Sequence, residues 1–263
     1  MIQDVVIELR GDVPLGRNEG SLILNLARYQ QNQVASKVKR NLTVMPRGVG
    51  DSKDDDATAD SIGNEIAKLK GAGDVFGAVC VAGYSHGSIV ALCLGVKLKS
   101  LGVPVRYLGI ADLPLFPFGL NPQPASFPDS MIPLNQPDLT PSGGLSFIFF
   151  DPLRALFPAP KVTPPTIVAG RKRNFFQVAG NGAKLTRPGR NPRGIQPWWW
   201  ASNLGRSEIH GELDDATWEN VLLDVPLAAL TADSAYHQQG DDLGVAKMSQ
   251  DISGVLASAF DQP

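Results

Sequence analysis

The 263-residue chain is 43% hydrophobic and 19% charged, with 24 Lys and Arg against 26 Asp and Glu and a net charge of −2. So even a balance exerts no global pull toward nucleic acid or an anionic bilayer, and no window holds the roughly 20 apolar residues of a membrane span. Length and composition fit one globular α/β domain covering 1–263, without splitting in two. The opening MIQDVVIELRGD has no basic segment followed by an apolar core, so no signal peptide is read and a cytoplasmic location is expected.

In chain order, Asp4 to Arg10 reads as a first strand that ends at Arg10-Gly11-Asp12. Asn18 or Ser21 is placed to cap a helix through Leu22, Ile23, Leu26 and Tyr29 to about Gln33. Leu42 to Met45 reads as a short strand stopped by Pro46. The acids Asp51, Asp54, Asp55 and Asp56 lack the alternation and distal Glu of a calcium loop. They read instead as a solvated lead-in to a helix, whose N-terminus favours acids. Ala59, Ile62, Ile66 and Leu69 share one face of that helix, and Gly71 is placed to close it.

The stretch Val75 to Gly95, VFGAVCVAGYSHGSIVALCLG, is the most informative in the chain. Its first part is an uncharged apolar run suited to a central strand buried on both faces. From Ser88 a helix is predicted through Ile89, Val90, Leu92, Leu94 and Leu98, with Lys97 and Lys99 late, where cations suit the dipole. Gly83-Tyr84-Ser85-His86-Gly87 joins the two. A reversal so tight brings backbones together, which calls for the glycines, and it strains Ser85 so that its hydroxyl stands out above the sheet. His86 then offers a backbone N–H at a helix N-terminus, suited to an oxyanion. The two cysteines, Cys80 and Cys93, read as inert buried thiols.

With this strand, G-x-S-x-G turn and helix, the chain resembles the α/β-hydrolase superfamily. The resemblance implies a mostly parallel central sheet with helices on both faces, a lid inserted over the site, and a Ser-acid-His triad in that chain order. By its pattern, the loop after an early strand contributes a second oxyanion donor. Arg10-Gly11 stands at the matching place, so Gly11 or Asp12 would face the amide of His86. The triad acid follows one of the two strands after the elbow. Val103 to Ala111 is predicted as the next strand, and Asp112 at its carboxyl end is favoured over Asp151, which follows the apolar run Leu145 to Phe150.

Proline crowds Pro114 to Pro165, which holds most of the chain's 21 prolines. Such density excludes regular helix and interior strand, and this is the expected lid insertion, its aromatics lining an apolar pocket. Thr166 to Gly170 and Asn174 to Ala179 read as strand material around Arg171-Lys172-Arg173. From Lys161 to Arg206 there is no acid, so this segment reads first as a solvated basic face balancing the acidic C-terminal third, then as a mouth for an anionic substrate, and last, from its interleaved aromatics, as a surface for single-stranded nucleic acid. At least one of Trp198, Trp199 and Trp200 is expected to face a pocket or a surface. His86 is fixed in the turn, which leaves His210 and His237 as bases. His210 is preferred, read as following a short final strand and preceding a helix that starts near Asp214 and Asp215.

These residues imply a carboxylic ester hydrolase acting through Ser85, His210 and Asp112. A thioesterase or acyl transferase with the same triad, or a catalytically silent binding protein, are the alternatives. No metal-ligand spacing or nucleotide fingerprint is present, so no cofactor is expected. The expected partner is a small acyl ester or thioester, without nucleic acid or stable membrane insertion.

Overall fold

Strand β1 (Ile2–Arg10) is apolar at successive positions because helices cover it on both sides, with Val5, Ile7 and Leu9 in one core layer and Val6 in the other. The computed structural model describes residues 1–11, 21–49, 54–111, 113, 161–162, 164–177, 212–213, 215–223 and 233–261. After β1 come helix α1 (Ala27–Ala35), strand β2 (Arg40–Gly48), helix α2 (Asp55–Lys68), strand β3 (Val75–Tyr84), helix α3 (His86–Ser100) and strand β4 (Val105–Ala111). The later elements are β5 (Lys161–Val162), β6 (Ala169–Gln177), β7 (Glu212–Leu213), β8 (Glu219–Leu223) and helix α4 (Asp233–Ser258). Six strands form one sheet in the order β2-β1-β3-β4-β6-β8, with all neighbouring strands parallel. The short β5 and β7 pair separately, also in parallel.

Helices α2 and α3 cover one face of the sheet and α1 and α4 the other. Ile62 and Ile66 of α2 pack with Leu94 and Leu98 of α3 against Val79, Val81, Leu108 and Ile110. On the opposite face Tyr29 of α1 and Val245, Met248, Ile252 and Leu256 of α4 meet Cys80, Ala82, Tyr107 and Phe175. Strand periodicity of two sends alternate residues to the two layers, which is why β3 and β4 read as nearly continuous apolar runs. This α/β architecture with a parallel sheet agrees with the sequence reading.

At the amino edge of the sheet the fold spends a buried charge. Asp4, fully buried, accepts from Arg40 Nε at 2.8 Å and Nη2 at 2.7 Å, from the Tyr29 hydroxyl at 2.8 Å and from the Ala78 amide at 2.7 Å. Burial, together with the Asp4 carboxylate, pushes the Tyr29 hydroxyl well above its ordinary range. The Arg40 guanidinium also lies 4.9 Å from the centre of the Phe260 ring, so one cluster ties β1, β2, β3, α1 and the end of α4 together.

Several elements differ from the sequence reading. Helix α1 starts at Ala27, not near Ser21, because the amides of the preceding stretch have partners outside a helix. Leu22 N–H donates to Glu8, Ile23 N–H to Ser249 and Asn25 N–H to Ser253. Strand β2 continues through Pro46, which an edge strand tolerates. Strand β6 runs unbroken through Arg171-Lys172-Arg173. The residues after α2 turn through Gly73, at φ +79°, and Gly71 is not the left-handed position. Asp215 to Trp218 form a turn and no helix start, since the Asp215 carboxylate accepts from both the amide and the hydroxyl of Thr217.

Asp12, Asn18, Asp51, Asp112, Asp151, Asp214, Trp198 to Trp200 and His210 lie outside the described residues, as does the proline-rich stretch apart from 161–162 and 164–165. Among the described residues no helix is long and apolar enough to cross a membrane.

Candidate active site

A single residue, Ser85, separates β3 from α3. It carries φ 51° and ψ −133° and is the one non-glycine with positive φ among the described residues. Such a conformation costs on the order of 1–3 kcal/mol and persists only where its surroundings impose it. Here they do. The Ser85 amide donates to the Ala111 carbonyl at 2.9 Å, and the Ser85 carbonyl accepts from the Ser88 amide at 2.9 Å. The buried Ser88 hydroxyl is 3.1 Å from the Gly83 carbonyl and 2.8 Å from that of Ala111, closing the turn from beneath.

The two flanking glycines answer different neighbours. A Cβ on Gly83 would stand 2.4 Å from the Gly87 carbonyl oxygen, which is the strand-to-helix crowding expected of the turn itself. A Cβ on Gly87 would stand 2.1 Å from the Leu9 carbonyl oxygen, so the second glycine serves the adjacent strand β1. Tyr84 and Gly87 are buried, while Ser85 and His86 are half-buried.

The turn sits where ligands bind in open parallel sheets. From β1 the chain crosses to β2 on one side, and from β3 it crosses to β4 on the other. The crevice beyond the carboxyl ends of β1 and β3 is therefore the topological switch point. Gly11, the first residue after β1, abuts the turn. A Cβ there would lie 2.6 Å from Ser85 Cβ and 3.0 Å from Ser85 Oγ. Gly11→Ala should therefore force the Ser85 side chain or the backbone at position 11 to shift, which a lowered urea midpoint would register. The end of β1 is tied to the residues from Ser21 on: Glu8, 3% exposed, accepts from the Leu22 amide at 3.0 Å, and Arg10 donates to the Ser21 hydroxyl at 2.6 Å.

The ring of His86 is engaged elsewhere, with Nε2 2.8 Å from Asp55 Oδ1 at the start of α2. Asp55 was expected on a solvated lead-in, yet it is buried. Asp54, its neighbour, is the N-cap of α2 and accepts from the Ala57 amide at 2.8 Å. No pattern in the sequence distinguished these adjacent aspartates.

Strand order changes the reading of the histidines. The sequence reads His210 as following the last strand, but β8 comes after it in the chain. The histidine that follows β8 is His237, the fifth residue of α4. Further along α4, a Cβ on Gly244 would stand 2.4 Å from Ala111 Cβ, whose carbonyl holds the Ser85 amide. Position 237 precedes Gly244 by seven residues in the same helix, so its backbone lies roughly 10 Å from it along the axis.

The basic triplet is committed to acids of the C-terminal third. Arg171 donates from Nε and Nη2 to Glu219, both at 2.9 Å, and Arg173 Nη1 lies 2.8 Å from Asp251. Lys172 points to the opposite face, its Nζ 3.2 Å from the Ile167 carbonyl oxygen and 5.6 Å from the centre of the Trp218 ring. Among the described residues the segment behaves as a balanced face. Hydrogen bonding from Arg171 holds the Glu219 carboxyl below its usual range. Its stabilising contribution is therefore complete above the unfolded value of about 4.3 and lost as pH falls through the lower folded value. Glu219→Gln should thus cost stability at pH 6 in urea titrations, with the difference shrinking toward zero in more acid solution. Exposure of the carboxylate keeps that cost small.

Cys80 and Cys93 are both buried, and burial pushes the Cys80 thiol up, away from thiolate chemistry. Among the described residues no group of three or more His, Cys, Asp or Glu is placed to hold a metal ion. Comparison with protein-family models, curated proteins and solved structures gave no match.

Proposed function

We propose that this chain is a serine hydrolase of the α/β-hydrolase type that cleaves carboxylic esters, with 1–263 as one domain and 114–165 as its lid. The observation that carries the reading is the strained, half-exposed Ser85 at the switch point, with Gly11 set against its hydroxyl. In this mechanism Ser85 Oγ attacks the substrate carbonyl carbon while a histidine takes its proton. The tetrahedral oxyanion is held by the amides of His86 and of Gly11 or Asp12, and each donor contributes about 3 kcal/mol. Collapse expels the alcohol, which receives the proton from the histidine, and water then releases the acyl group by the same steps.

Asp112 is the proposed acid, and it directly follows Ala111, whose carbonyl accepts from the Ser85 amide. His210 is the base preferred from sequence. The position of β8 after it favours His237 as the second reading, because His237, in the second turn of the closing helix, is the histidine that follows the last strand. Single His210→Ala and His237→Ala variants, assayed on p-nitrophenyl esters, separate the two. The base is the one whose loss lowers kcat by about a thousandfold or more.

Labelling with a fluorophosphonate tests the whole reading. The wild type should react at one site and Ser85→Ala should not, whereas equal labelling of both would place the nucleophile elsewhere. A thioesterase or acyl transferase would instead prefer acyl-thioesters in a chain-length series, and a silent binding protein would leave the probe unreacted.

A further inference from the structure

We propose that Asp55 is a positioning residue for this reaction: with the His86 ring it forms a strut that fixes the oxyanion-binding amide of the turn. The inference rests on the reading of Ser85 as nucleophile. The amide at issue belongs to the peptide unit between Ser85 and His86, at the start of α3 where helix amides have no intrahelical acceptor. Its carbonyl end is pinned by the Ser88 amide at 2.9 Å. Its other end carries the His86 side chain, whose Nε2 lies 2.8 Å from Asp55 Oδ1 with the two side chains only 12% and 6% exposed. The plane is thus held at both ends, and a strained residue next to it is kept from relaxing by rotation of that peptide.

The anchor is itself rigid. Asp55 occupies the first turn of α2, directly after the Asp54 cap, and that helix is docked on α3 along its length. Gly63 admits the Lys97 stem so closely that a Cβ would stand 2.7 Å from Lys97 Cγ, and Lys97 Nζ pairs with Asp60 at 2.9 Å. Ile62, Ile66, Leu94 and Leu98 complete the contact. The Asp55 side chain, in the first turn of α2, meets the first residue of α3, so its carboxylate stands where the two helices begin. The sharing of that carboxylate with the residue after the nucleophile ties the α2 terminus to the oxyanion site.

Steady-state hydrolysis of a p-nitrophenyl ester and the rate of fluorophosphonate labelling test the proposal. Asp55→Ala should lower kcat and the labelling rate by about tenfold to a hundredfold, short of losing a whole oxyanion donor, with KM changed by about twofold or less. Asp55→Asn, whose Oδ1 still accepts from the ring, should recover most of that loss. His86→Ala keeps its backbone amide and should lose as much as Asp55→Ala. The double variant should lose no more than either. If Asp55→Ala fails to fold, His86→Ala carries the same test. Labelling of Asp55→Ala at the wild-type rate, or Asp55→Asn no better than alanine, overturns the strut while leaving the Ser85 reading standing. A wild-type protein that never labels overturns both.

Discussion

Ser85→Ala is expected to abolish fluorophosphonate labelling and to lower ester hydrolysis by at least about a thousandfold, with residual turnover from binding and the oxyanion amides alone. The alanine keeps a Cβ, so it also keeps the strain of φ 51° at this position. Ser85→Gly removes the same hydroxyl but is free of that strain. The two variants should therefore be equally inactive yet unequal in stability. Glycine should be the more stable by about 1 kcal/mol, after its extra chain entropy in the unfolded state is subtracted from the relieved strain. Urea denaturation of the pair reads this directly. A glycine variant less stable than alanine would mean that the turn is not strained. Activity surviving in either would remove Ser85 from the chemistry.

The largest effect on folding is expected at Asp4. Asp4→Ala strands the Arg40 guanidinium, whose side chain is 6% exposed, and leaves the Tyr29 hydroxyl and the Ala78 amide without their acceptor. Loss of one member of a buried ion pair costs about 3–5 kcal/mol. Replacing both charges by apolar residues of similar size, as in Asp4→Leu with Arg40→Met, should restore much of it, because the desolvation of both charges is then avoided. Denaturation of the two single variants and the double variant checks the coupling. The cluster sits at the amino edge of the sheet, with the turn at the other, so the folded fraction of Asp4→Ala should still label at Ser85. Loss of labelling in protein shown to be folded would contradict that separation of stability from site.

The legible parts of the chain were those whose cause is local. Along β3, the turn and α3, an uncharged run, two glycines four residues apart and an apolar helix specify their conformation through neighbouring residues, and the structure has them there. The amphipathic face of α2 was equally clear from Ala59, Ile62 and Ile66. Where the reading missed, a distant partner had intervened. Leu22 to Asn25 looked helical but gave their amides to Glu8, Ser249 and Ser253. Arg171 and Arg173 looked like a break in strand material, but Glu219 and Asp251 neutralise them in place. Asp55 looked like any exposed acid of a helix start, and only the docking of α2 on α3 brings it to His86.

Steric limits on the backbone act between residues adjacent in the chain, so the order of residues is enough to set a sharp turn from strand to helix at Ser85. That Gly11 stands against that serine, that Gly87 makes room for β1, and that a strand lies between His210 and the closing helix emerges once the chain is folded. Those facts depend on which strands lie side by side, and strand order is set by packing between segments tens of residues apart, of which a linear pattern carries no record.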